Sequence, residues 1–231
     1  MLINFLLGGD PKTFIILFLL SLPIALLALS LHETAHGFAA WRLGDPTARA
    51  FGRLTLNPIK HLDPIGTLCM MLAGFGWAKP VPINSRYFKK PRRDIAITAL
   101  AGPVANLLLA TVFLLLLRFV GYGVLAQLGY TSEFTYNLAY YTVLFLHMGV
   151  AMNVSLALFN IFPIPPLDGS RILFSLLPPK VYFKIAPYER QINMALMLLL
   201  LLSAYFGWFA ALVDLVLDGL YALVGMNGFL T

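Results

Sequence analysis

The residues of this 231-residue chain best suited to chemistry are His32, Glu33 and His36, in the run Leu31-His32-Glu33-Thr34-Ala35-His36. On a helix, positions i and i+4 share a face, so both imidazoles can reach one Zn²⁺ while the Glu33 carboxylate lies beside the open coordination position. Two neutral nitrogen ligands and an adjacent carboxylate are what water activation requires, since the metal acidifies a water and the base removes its proton. A bare HExxH also recurs by chance on polar helix faces, so its surroundings decide its meaning. Here it follows an apolar run that starts at Thr13 and reads as membrane-buried. Ionisable groups at such depth cost on the order of 2.5–3.5 kcal/mol each on insertion scales, and are generally functional.

A further ligand has to come from elsewhere in the chain. The segment Asn160-Ile161-Phe162-Pro163-Ile164-Pro165-Pro166-Leu167-Asp168-Gly169 ends an apolar run with prolines that hold the backbone extended. Irregular backbone at membrane depth is tolerated only where it lines a cavity or is covered by protein, which makes Asp168 a candidate carboxylate ligand from a different helix. Asn153 and Asn160, seven residues apart, share a helical face and are expected to look towards the same cavity. In Ala101-Gly102-Pro103-Val104-Ala105-Asn106 the small residues permit close helix packing, and Asn106 can also hydrogen-bond across helices. His61 and His147 have no partner at ligand spacing. His61 is expected on the surface and His147 as a packed, neutral helix residue.

These residues need a scaffold, and composition indicates its kind. Hydrophobic residues make up 60% of the chain and charged ones only 11%, against roughly 45–50% and 25% in soluble proteins. The expectation is an all-α polytopic membrane protein, with about four to five transmembrane helices plus a re-entrant or extended segment around the active site. The length suits a single membrane-embedded domain over 1–231, with a catalytic core at about 13–177 and a C-terminal helical hairpin at about 191–226. Asp10, Pro11 and Lys12 precede a first apolar segment too long for a signal-peptide core, so that segment is expected to stay as an anchor. The lone Cys69 fits a small apolar filler.

A formal net charge of +6 raises nucleic acid as a partner, but the distribution argues against it. All of the basic residues except Lys12 and Arg118 fall between Arg42 and Lys60, Lys79 and Arg93, or Arg171 and Arg190. The positive-inside rule puts all three groups in the cytoplasm, which leaves the lipid bilayer as the partner and brings the active site towards the cytoplasmic side.

In order, a first helix is expected from about Thr13 to Leu43, some 45 Å long at about 1.5 Å per residue, with Pro23 as a tolerated kink. Ile65 to Trp77 is short for a span, and a dip into the membrane and back keeps the flanking basic groups on one side. Prolines forbid helix over Trp77-Ala78-Lys79-Pro80-Val81-Pro82-Ile83-Asn84, which reads equally as an extended strand edge open to strand addition or as a connecting loop. Further spans are expected at about Ile95–Val120 and Phe134–Phe159, joined by an outer loop without basic residues. The apolar run from Ile192 to Val224 is too long for one straight span, so a hairpin broken around Gly207 is expected. Asp214 and Asp218 share a face of it, either as a second polar site or as boundary residues.

Together, His32-Glu33-Thr34-Ala35-His36, Gly102-Pro103-Val104-Ala105-Asn106 and Asn160 through Pro163-Ile164-Pro165-Pro166-Leu167-Asp168-Gly169 resemble the site-2 protease family of intramembrane zinc metalloproteases. The resemblance covers roughly Pro23 to Leu177, and Gly76-Trp77-Ala78-Lys79-Pro80-Val81-Pro82 is similar to the extended segment the family places beside its active site. It implies His32, His36 and Asp168 as ligands of one zinc per chain, Glu33 as catalytic base and Asn160 as a polar group facing the scissile peptide. Asn106, Trp77, Val81 and Ile83 are the expected substrate-binding positions. It further implies a transmembrane-protein substrate, a multi-pass protein of a prokaryotic plasma membrane, and the core-only branch without PDZ or CBS domains. The rival class is a membrane metal-binding or transport protein using the same ligands. Glu33 separates the two, because a carrier needs no base beside its ligands.

Overall fold

The computed structural model describes residues 10–63, 79–124, 132–178 and 207–226, with scattered positions between 180 and 198. The chain forms two compact units, Met1–Lys89 and Lys90–Thr231.

The first unit is built on helix α1, Pro11–Arg42, 32 residues long. Asp10 caps it by accepting from the Lys12 and Thr13 backbone N–H groups at 3.3 and 3.0 Å, and Pro11 pre-sets the first helical φ. The Thr13 hydroxyl, donating at 2.7 Å, is the largest of several bonds that hold the Asp10 carboxyl below its usual range. Pro23 lies inside α1 without ending it. Ile24, Ala28, His32, His36 and Ala40, each four residues from the next, form a buried stripe, so the histidine spacing belongs to the face on which the unit packs.

After α1 the chain turns at Gly44, whose φ of +110° favours glycine. Asp45 then turns the chain into the single helical turn Thr47–Ala50 by accepting the Thr47 N–H at 2.9 Å, together with the Thr47 hydroxyl. Residues 79–84 form neither helix nor strand, Asn84 at their end is extended at φ −118° and ψ 100°, and no β-strand occurs among the described residues. Pro80 and Pro82 lack the N–H groups a ladder needs, so this segment is held by single bonds to different partners.

The second unit contains α2, Pro91–Leu116, which runs on into a widened π-helical turn, Leu117–Val124. It continues with α3, Glu133–Ile161, opened by a Ser132/Thr135 capping box, and α4, Asp168–Leu176. The last helix is α5, Trp208–Leu223. α2 packs against α3 and α4. Its buried side carries Thr98, Gly102, Asn106 and Ala110, while Leu108, Val112, Leu115 and Phe119 are exposed on the other. Small and polar residues inside with large aliphatic ones outside is the inversion expected of a helix facing lipid. α5 leans on α3 through Tyr221, whose hydroxyl is 2.7 Å from His147 Nδ1 with the rings stacked. His147 is thus packed in its helix, as expected.

Three helices are long and apolar enough to cross a membrane, Pro11–Arg42, Pro91–Tyr122 and Glu133–Ile161. They match the three expected spans to within a few residues, and the fold is all-α. Gly207, at φ +69°, immediately precedes α5, where the break in the terminal hairpin was expected. The expected Ile65–Trp77 dip, Cys69, Trp77, most of the 121–133 loop and most of the hairpin's first arm lie outside the described residues.

Candidate metal centre

Within the first unit, α1 turns the Nε2 atoms of His32 and His36 towards one another at 3.0 Å, with the rings edge-on at 87°. Both side chains are buried. Two nitrogens each about 2.0–2.1 Å from a tetrahedral zinc stand about 3.3 Å apart, so this spacing is close to that of a bidentate metal clamp. Imidazole nitrogens suit zinc, and the pair therefore fits the ion that the motif implies.

Glu33 is held by a partner from far along the chain. Its Oε2 accepts the Val81 backbone N–H at 2.8 Å, a contact across 48 residues. The extended segment carrying Val81 is fixed at two more points: Lys79 N–H donates to the His61 carbonyl at 2.8 Å, and Asn84 N–H to Asp45 Oδ2 at 2.6 Å. Gly37, one residue after His36, lets this segment come close. A Cβ there would lie 2.8 Å from Leu54 Cδ2 and 3.1 Å from Val81 Cγ1. The apolar Val81 side chain is buried and Ile83 half-buried.

Two residues here differ from, or extend, the sequence reading. His61, expected on the surface, is 1% exposed. Its Nε2 bonds the Thr55 carbonyl at 2.7 Å and lies 3.5 Å from the Thr34 hydroxyl. The short 53–63 loop folds it inward, and this loop contact is invisible to spacing rules. Asp45 is also fully buried and joins the end of α1 to the extended segment. Its signal in the sequence was Gly44-Asp45-Pro46-Thr47, a turn pattern.

Within the second unit, Asp168 is the first residue of α4 and is buried. The first turn is pressed onto the end of α3: a Cβ on Gly169 would lie 1.9 Å from the Ile161 carbonyl oxygen. The Ser170 hydroxyl closes the turn onto the Leu167 carbonyl at 2.7 Å. The peptide between Pro165 and Pro166 is cis. Asn160, half-buried near the end of α3, donates from its amide to the Leu156 carbonyl at 2.9 Å. Asn106 and Asn153 are fully buried and joined: Asn106 Nδ2 donates to Asn153 Oδ1 at 3.1 Å, and Asn153 Nδ2 to the Gly149 carbonyl at 2.9 Å. Asn153 therefore ties α3 to α2, with Asn106 as its partner across the seam. Asp214 and Asp218 are exposed on α5.

Comparison with known proteins agrees with this chemistry. The model of "Peptidase family M50" matches residues 20–204. The "Putative zinc metalloprotease YwhC" of Bacillus subtilis strain 168 is 44% identical over 165 residues, 71% of this chain and 72% of its own length. The "Putative zinc metalloprotease Rip2" of Mycolicibacterium smegmatis is 30% identical over 211 residues, 88% of this chain and 74% of its own. Its namesake in Mycobacterium tuberculosis H37Rv is 30% identical over 199 residues, 84% and 71% of the two chains. No solved structure matches.

Proposed function

The chain belongs to peptidase family M50, the site-2 protease family, as an integral membrane protein of a zinc metalloprotease family, and from that premise we propose that it hydrolyses a peptide bond within or near the transmembrane segment of a membrane-protein substrate. The observation that carries the reading is the buried His32–His36 pair with the Glu33 carboxylate on the intervening turn. We assign His32, His36 and Asp168 as the ligands of one zinc per chain. When bound, the ion supplies Lewis acidity, polarising a carbonyl and lowering the pKa of a water towards ~7.

The protein's own groups do the rest. Val81 N–H holds one oxygen of Glu33, and the other takes the proton of the attacking water and delivers it to the leaving amine. Asn160 spends one amide hydrogen on Leu156, and the second donates to the peptide oxygen as negative charge builds on it. An unwound substrate strand lies along residues 80–83, where Val81 and Ile83 are the positions beside it and Trp77 precedes them. That edge offers mostly acceptors: Pro80 and Pro82 have no N–H, and Val81 N–H is already bound to Glu33. The substrate therefore contributes mainly N–H donors, which a helix frees only when it opens. The active site faces the cytoplasmic side, where the basic residues gather.

Metal analysis with a substrate panel tests the assignment. Purified protein should hold about one zinc per chain, and His32→Ala, His36→Ala and Asp168→Ala should each lose most of it, since each removes one of three protein ligands. Wild type alone should cleave members of a panel of single-span membrane proteins. Full zinc occupancy in Asp168→Ala would remove that residue from the ligand set.

A further inference from the structure

The most buried histidine among the described residues is neither of the two in the motif. It is His61. Its Nε2 lies 2.7 Å from the Thr55 carbonyl oxygen, which can only accept, so the ring carries its proton on Nε2. The Thr34 hydroxyl donates to the same carbonyl at 2.7 Å, and Thr34 follows Glu33 in the chain. The His61 carbonyl in turn accepts the Lys79 N–H at 2.8 Å, and two residues on, Val81 N–H donates to Glu33 Oε2 at 2.8 Å.

Followed round, these contacts close a ring that starts and ends on Glu33: Thr34 to Thr55, Thr55 to His61, His61 to Lys79, and Val81 back to the carboxylate. His61 enters it twice, with its side chain on the α1 side and its backbone on the side of the extended segment. Its Nδ1 has no hydrogen-bond partner among the described residues. A buried nitrogen left in that state opposes folding, so filling space does not explain why a histidine stands here.

We infer that His61 is a positioning residue for Glu33, fixing the carboxylate by tying the turn of α1 that bears it to the segment whose N–H holds it. The inference rests on the hydrolytic reading above. It places His61 outside the reacting atoms, with its effect on turnover rather than on metal or substrate binding. A misplacement of about 1 Å at a reacting group can lower turnover by about 10²-fold, so a loosened ring is readable in kcat.

Two variants separate donor from volume. His61→Leu fills the space without a donor, whereas the amide of His61→Gln reaches the same carbonyl. Hydrogen exchange of the peptide over 79–84 reads the ring without any substrate: His61→Leu should speed exchange at Lys79 and Val81 by about tenfold or more, and His61→Gln by less than about threefold. On a single-span reporter that wild type cuts and Glu33→Gln does not, His61→Leu should lower kcat by about tenfold or more with KM and zinc content unchanged, and His61→Gln should recover most of it. Thr34→Val removes the other bond to Thr55 and should act in the same direction, which keeps the test open should His61→Leu fail to fold. Wild-type exchange and kcat in His61→Leu and Thr34→Val, or a His61→Gln as impaired as His61→Leu, would overturn the inference. A wild type that cuts no reporter faster than Glu33→Gln would overturn the hydrolytic reading instead, and exchange would still decide whether His61 holds the ring.

Discussion

Glu33 shows how far a single residue can be read from its neighbours in sequence. Its place between two histidines four apart is fixed by helical geometry alone, so the clamp of His32 and His36 was legible before any tertiary structure. Asp168 was expected at a covered position for another reason, because prolines before it deny regular backbone at a depth where irregular backbone must be covered, and it is buried in the first turn of α4. What spacing could not supply is the company these residues keep. The Val81 N–H that holds Glu33 comes from 48 residues away, and His61 is buried by the fold of a loop rather than by any periodic pattern. Asn153 was placed on the right helix face, but its partner Asn106 on another helix decides its role.

At the scale of elements, helices were the easiest to place and joints the hardest. The three long helices follow from apolar runs, and each of their N-terminal boundaries sits within a few residues of a cap or a charge that marks it. The absence of helix over 79–84 followed from its prolines, but whether the stretch was strand or loop depended on partners that no local rule names. The joint between α3 and α4 carries a sharper constraint. With a Cβ 1.9 Å from the Ile161 carbonyl, Gly169→Ala must push the first turn of α4 off the end of α3. Overpacking of this kind typically costs about 1–3 kcal/mol. The variant should melt earlier in detergent and hold less zinc than wild type, because Asp168 precedes the displaced residue. An unchanged melting temperature with full zinc would show that the turn tolerates the shift and that Gly169 does not set the position of Asp168.

For the whole molecule, composition alone excluded a soluble protein, and the helices and family agree. Sidedness rests on the basic residues. Lys79 to Arg93 and Arg42 to Lys60 both carry several, and their placement on one face requires that the chain between them return to the side it left. In a Cys69→Ala background, Ala50→Cys and Lys89→Cys are both exposed positions that a membrane-impermeant thiol reagent can reach. Both should react from the cytoplasmic side only. Labelling from opposite faces would mean that the intervening segment crosses, and the single-sided arrangement would be wrong.

If Glu33 moves the proton in a hydrolysis at a metal it does not bind, as proposed, Glu33→Gln removes that step and leaves the metal site intact. Glutamine keeps the size and an oxygen for the Val81 N–H but cannot take a proton from water. Measured side by side, zinc content should match wild type while cleavage of a confirmed single-span substrate falls by about 10²–10⁴-fold or more, with the uncut substrate retained on the protein. Cleavage at the wild-type rate by a zinc-loaded Glu33→Gln would rule out Glu33 as the base.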